Sequence, residues 1–153
     1  MVGFLLHPNL EIDVSPSEFV FRQDGNVVRM RTVVEPDVGA GVRWFGMEGY
    51  QPPRHPLALF APGGNPAHSR TEHLRAWLRV GLIECQHGRR ILLRPHATVH
   101  DAASLDAVLL GYQYALLRSE LIAAGARTVR FTERPPLAPP AGYEKPVSST
   151  HNE

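Results

Sequence analysis

Residues 10–34 read LEIDVSPSEFVFRQDGNVVRMRTVV, and this stretch decides the fold. Leu10, Ile12 and Val14 recur at every second position with Glu11 and Asp13 between them, the period of a strand with one buried face. Ser15-Pro16-Ser17 interrupts that run and Glu18 to Arg22 resumes it, so a tight turn joins two strands. Asp24-Gly25 tolerates positive φ, and Val27 to Val34 returns as a β-branched third strand. On that strand Val28, Met30, Thr32 and Val34 share one face while Arg29 and Arg31 share the other, so one side is core and the other is wet.

Outward from this meander, Gly39 to Gly41 allows a bend before a short extended segment, Val42 to Phe45. Five prolines and Gly63-Gly64 make the stretch from Met47 to Ala67 a long loop, with Leu57 to Phe60 packed down. Ser69-Arg70-Thr71-Glu72 has capping-box spacing, and Leu74, Trp77 and Leu78 follow at helical intervals, which predicts a helix over 70–80 ended by Gly81. Leu82–Gln86, His87-Gly88 and Arg89–Arg94 read as a hairpin closed by Pro95, with extension of the helix through Gln86 as the alternative. After Asp101 or Ser104 as N-cap, Leu105, Val108, Leu109, Tyr112 and Leu116 form one apolar stripe, and Leu110, Leu117 and Leu121 widen it. One continuous helix over 104–124, stopped by Gly125, is predicted, followed by a last strand at 128–132.

The chain has 153 residues, the size of one domain, which we place at 1–133; the proline-rich remainder, 134–153, reads as a flexible tail. Sixteen basic residues against fifteen acidic ones give a net charge of +1, which speaks against a general electrostatic binder of nucleic acid or anionic lipid. Cys85 is the single cysteine and has no internal disulfide partner. The apolar run Val2 to Leu6 lacks a basic flank and ends at His7-Pro8, unlike a signal peptide or a spanning helix, so a cytoplasmic location is expected.

The order β-β-β, loop, α, β, α, β is that of the ribonuclease H-like fold and of the first subdomain of actin-like ATPases. Particular residues extend the likeness. Ile12-Asp13-Val14-Ser15-Pro16-Ser17 resembles the first phosphate loop of bacterial actins, and Asp24-Gly25 with Val27 to Val34 resembles the hairpin that follows it. Phe45-Gly46-Met47-Glu48 looks like their "VGEEA" stretch, and Arg94-Pro95 with Val99 and Asp101 looks like "RP…GVIAD", with the helix from Ser104 after it. The chain thus resembles the rod-shape-determining bacterial actins, the MreB family, over residues 4–133. The resemblance implies an α/β domain with a mixed, mostly antiparallel sheet of five or six strands, and a phosphate loop at Asp13, Ser15 and Ser17. ATP with Mg would be the cofactor only if that loop functions. Pro16 removes an N–H donor from it, and no second phosphate loop or adenosine pocket follows, so ATP hydrolysis is not expected.

Each candidate site has a plainer reading beside it. Asp13, Glu84 (or Glu72) and Asp101 are the carboxylates a two-metal nuclease would need, but Asp13 also suits the Ser15-Pro16 turn, Glu72 the capping box and Asp101 a helix cap. His96 and His100 have zinc-like spacing only on a helix, and here Pro95 starts an extended segment, so a solvated loop is expected and no metal is assigned. Cys85 in an apolar run reads as a small buried hydrophobe. Arg29, Arg31, Arg89, Arg90 and Arg94 make a candidate basic face, with Trp44, Phe45 and Tyr50 as stacking aromatics; solubilising arginines on a wet sheet face are the simpler account. The preferred function is a non-catalytic actin-like module that binds a protein partner or a second copy, linked by resemblance to bacterial cell shape. An Arg-rich nucleic-acid-binding domain and a divergent metal-dependent nuclease rank behind it.

Overall fold

Strand β1 (Asn9–Val14) runs antiparallel to β2 (Glu18–Gln23), which runs antiparallel to β3 (Asn26–Arg31), as the short turns between them require. The coordinates are a computed structural model that describes residues 7–36, 42–47, 54–60, 71–86 and 93–133. Asp24 and Gly25 both adopt positive φ (49° and 81°) at the β2–β3 turn. The pairing then stops at Thr32. Its backbone N–H donates to the Ser17 carbonyl (3.0 Å), its hydroxyl donates to the Pro16 carbonyl, and its own carbonyl accepts from Leu59 N–H (2.8 Å). Thr32 therefore divides the predicted third strand, and β4 (Val33–Pro36) belongs to a second sheet with β5 (Val42–Trp44) and β6 (Leu57–Ala58), in the order β5-β4-β6. Leu59 and Phe60 are buried as predicted, and Phe60 stacks on Phe19 at 5.8 Å with the rings 6° from parallel.

Helix α1 (Thr71–Cys85) continues past Gly81, which corrects the end expected there; the alternative, extension of the helix toward Gln86, holds in place of the first hairpin arm. A Cβ on Gly81 would lie 2.5 Å from Cζ of Phe21, so this glycine lets the helix approach the sheet rather than ending it. The hairpin turn and residues 89–92 lie outside the described residues. After Pro95 comes β7 (His96–His100), parallel to β1, where a solvated loop had been expected. The predicted long helix is also corrected. A 3-10 turn (Ala102–Leu105), α2 (Asp106–Leu109) and α3 (Gln113–Ala124) replace it, broken where Leu110 and Gly111 take φ of 48° and 91°. Strand β8 (Thr128–Phe131) then pairs parallel with β7.

The main sheet is ordered β3-β2-β1-β7-β8, with two antiparallel and two parallel pairings. It is an α/β architecture, with a more parallel sheet than the predicted one. Trp77 of α1 meets Phe19 and Phe21 edge-on at 4.9 and 6.1 Å, and Tyr114 of α3 meets Phe131 at 5.1 Å. Phe21 shares its face with Ile12, and Phe131 shares its face with Val99 and hence Ile12, so both helices cover the same side of the sheet. Phe19 and Phe21 are fully buried, and burying each stabilises the fold by roughly 1.5–3 kcal/mol. Between the helices, Arg75 Nε donates to the buried Glu120 carboxylate at 2.9 Å, and this bond with the accompanying charge raises the Arg75 pKa. No described element covers the other side of the sheet.

Candidate functional site

Strand alternation places the side chains opposite the core on this open face. Register aligns them in rows across the strands: Val27, Arg22, Glu11, Thr98 and Arg130 form one row, and Arg29, Val20, Asp13 and His100 form the next. Arg22 Nη2 pairs with Asp13 Oδ2, and Arg29 Nη1 pairs with Glu18 Oε1 at 2.9 Å. Glu11 Oε1 lies 3.3 Å from His100 Nε2, and His96 Nδ1 lies 2.7 Å from the Thr128 hydroxyl. These groups are substantially exposed, so each ion pair contributes only about 0–1 kcal/mol to stability. A groove of about 480 Å³ runs along the first row and is lined by Asn9, Glu11, Arg22, Asn26, Thr98 and Arg130 among others. Val27 is the apolar side chain in that lining and is 55% exposed.

The three phosphate-loop candidates are committed to one another and to the fold. Asp13 faces Arg22 across the β1–β2 pair instead of capping the turn. Ser15 takes over the turn: its hydroxyl donates to the Glu18 carbonyl (2.8 Å) and accepts from Glu18 N–H (3.0 Å), and its backbone N–H donates to the same carbonyl (3.0 Å). Ser17 Oγ lies 3.4 Å from Ser15 Oγ. Asp101 follows β7 with φ of 60° and its side chain makes no cap bond; Glu133 accepts from Ala103 N–H instead, at 2.9 Å. Ser104, the other cap candidate, donates its hydroxyl to the Val14 carbonyl at 3.0 Å. Glu84 lies near the C-terminal end of α1, half-buried. Among the described residues no group of three or more His, Cys, Asp and Glu side chains is placed to hold a metal ion, so Asp13, Glu84 and Asp101 form no such cluster.

Arg29 and Arg31 do stand on the open face, while Arg89 and Arg90 lie outside the described residues. Arg94 leaves the expected basic face. Its guanidinium donates to the carbonyls of Ile122 (3.2 Å), Gly125 (3.4 Å) and Ala126 (2.9 Å), closing the C-terminal end of α3. On a strand, His96 and His100 share a face but stand about 13 Å apart, beyond the reach of one metal ion. Cys85 is buried, and burial pushes its thiol up to about 11, as an inert core residue requires. Phe45 packs against the core, and Tyr50 lies outside the described residues.

Sequence reasoning missed Glu11, Arg22, Thr98 and Arg130 as a set. Glu11 and Arg22 were visible on β1 and β2, but Thr98, which joins them to Arg130 of β8, stands on β7, and β7 had been read as loop. No helix among the described residues is long and apolar enough to cross a membrane. Neither a protein-family model nor a curated protein matches the chain.

Proposed function

We propose that this chain is a non-catalytic, ribonuclease H-like module of actin type that acts by binding a protein on the open face of its main sheet. One observation carries the reading: among the described residues helices cover one side of the sheet only, and on the other side Arg22 pairs with Asp13 and Arg29 with Glu18 at the surface. The order β3-β2-β1-β7-β8, with helices linking the parallel strands, supports the fold assignment. The hydroxyl of Ser15, used up in its own turn, and the carboxylate of Asp13, used up on Arg22, support a loop that does not grip phosphate. The segments that resemble rod-shape-determining actins direct the search for the partner to bacterial cell-shape machinery.

A photo-crosslinking residue at Val27, on the open face, is compared in cells with one at Ala115, exposed on α3. Protein adducts from position 27 and few from position 115 are expected. Adducts confined to position 115, adducts to nucleic acid alone, or ATP binding by calorimetry would each sink the reading.

A further inference from the structure

We propose that the groove across the open sheet face binds an extended segment of a partner protein in which acidic, basic and acidic side chains follow one another at every second residue. The proposal rests on the protein-binding reading and names the chemistry of what is bound. Arg22 on β2, Glu11 on β1, Thr98 on β7 and Arg130 on β8 stand side by side in register. Neighbouring strands lie about 4.8 Å apart, so Arg22 and Arg130 are separated by about 14 Å at the backbone. An extended chain advances about 3.3 Å per residue, which puts residues i and i+4 about 13 Å apart and on the same side, with i+2 between them. Laid across the strands, such a segment sets one carboxylate against Arg22, the other against Arg130, and a lysine or arginine against Glu11.

Arg130 forms no hydrogen bond or ion pair among the described residues, so it is available without breaking anything. Arg22 and Glu11 already have partners, but their side chains are 49% and 55% exposed, and exchanging surface pairs costs little. Asn9 and Thr98 line the same groove and offer an amide and a hydroxyl to the segment's backbone. Other occupants fit less well. The lining is too polar for an apolar ligand, and a nucleic-acid strand would bring phosphate onto Glu11 with no Phe, Tyr or Trp side chain among the described residues of this face to stack on.

The test is an NMR titration of the isotope-labelled full chain with synthetic nonapeptides centred on Glu-Thr-Lys-Thr-Glu or on the inverted Lys-Thr-Glu-Thr-Lys. The first is expected to bind about tenfold more tightly, with a preference that shrinks as salt is added and with shifts at Glu11, Thr98 and Arg130. Arg130→Glu is expected to lose that preference and to gain affinity for one of the two peptides in which a single terminal Glu is exchanged for Lys, a rescue that a misfolded variant cannot produce. Equal affinity for the two peptides, indifference to Arg130→Glu, tighter binding of a single-stranded oligonucleotide, or a dimer that excludes the peptide would each overturn the proposal. If position 27 still crosslinks a protein while the peptides are not distinguished, this proposal fails and the protein-binding reading stands; if the crosslinks also fail, both go.

Discussion

Gly81 sits inside α1, where alanine would be favoured by about 1 kcal/mol on helix propensity alone. Here the neighbour decides the sign. A Cβ would meet three atoms of the Phe21 ring at 2.5–2.8 Å, and that ring is fully buried between Phe19 and Trp77. Overpacking of this kind costs roughly 1–3 kcal/mol, so Gly81→Ala is expected to lower stability by about 1 kcal/mol net in urea unfolding; a rise would show that the ring can move aside. Cys85 yields a second prediction. Its thiol ionises near 9 when unfolded and at about 11 in the fold, because burial disfavours the thiolate. Between those values the native state holds the proton more firmly, so stability is complete below pH 9 and falls as pH rises toward 11, by at most about 1.4 kcal/mol per pH unit. Urea titrations at the two ends of that range should show a larger loss for the natural chain than for Cys85→Ala, and equal losses would count against a buried thiol.

At the scale of elements, the break between α2 and α3 makes a test whose sign separates two structures. In the continuous helix that the apolar stripe predicts, Gly111→Ala would stabilise by about 1 kcal/mol. With Gly111 at φ of 91° the same change forces a side chain into a disfavoured conformation and is expected to destabilise by about 1 kcal/mol, although nothing crowds the site. Leu110→Asn should move the other way, because asparagine tolerates φ near 48° and Leu110 is 61% exposed, with little burial to lose. Unfolding midpoints of the two variants decide between kink and helix. This break also marks where the sequence stops being legible. Strands β1 to β3 could be read because one face is apolar and the other charged, with period two. Strand β7 could not, since only the small Ala97 and Val99 face the core between two histidines, and its meaning as a central strand comes from pairing with β1 on one side and β8 on the other. The end of α1 and the start of α3 differ from the periodicity for a related reason: Gly81 answers to Phe21 and Leu110 to a turn, neither of which is encoded in helical periodicity, whereas α3 stops at Gly125 as predicted. Thr98, the link between Glu11 and Arg130 on the open face, was lost with β7.

For the whole molecule, the question is whether the meander, the small sheet and the helical layer unfold as one unit. Trp77 is placed to report it. Its ring is fully buried against Phe19 and Phe21 of the main sheet, and its indole N–H donates to the Arg31 carbonyl at 3.1 Å. Arg31 N–H in turn donates to the Gly46 carbonyl at 2.9 Å, beside β5 of the second sheet. A Cβ on Gly46 would lie 2.1 Å from the Arg31 oxygen, so this junction leaves no slack. Meanwhile Leu10, Ile12, Ala97, Val99, Leu117 and Leu121 join the same buried cluster from the same face of β1 and β7 and from α3. A single cluster shared by every layer predicts cooperative, two-state unfolding, as is usual for a domain of this size. In the variant Trp44→Phe, which leaves Trp77 as the sole tryptophan of the two in the chain, fluorescence and far-ultraviolet circular dichroism should therefore trace coincident urea transitions. Native-state hydrogen exchange should agree: the amides of β1 and β7, the strands with neighbours on both sides that lie at the join of the antiparallel and parallel halves, should open only with the whole molecule. An earlier fluorescence transition would mean that the second sheet peels from Trp77 before the main sheet yields, and the open face would then belong to a smaller cooperative unit than the chain itself.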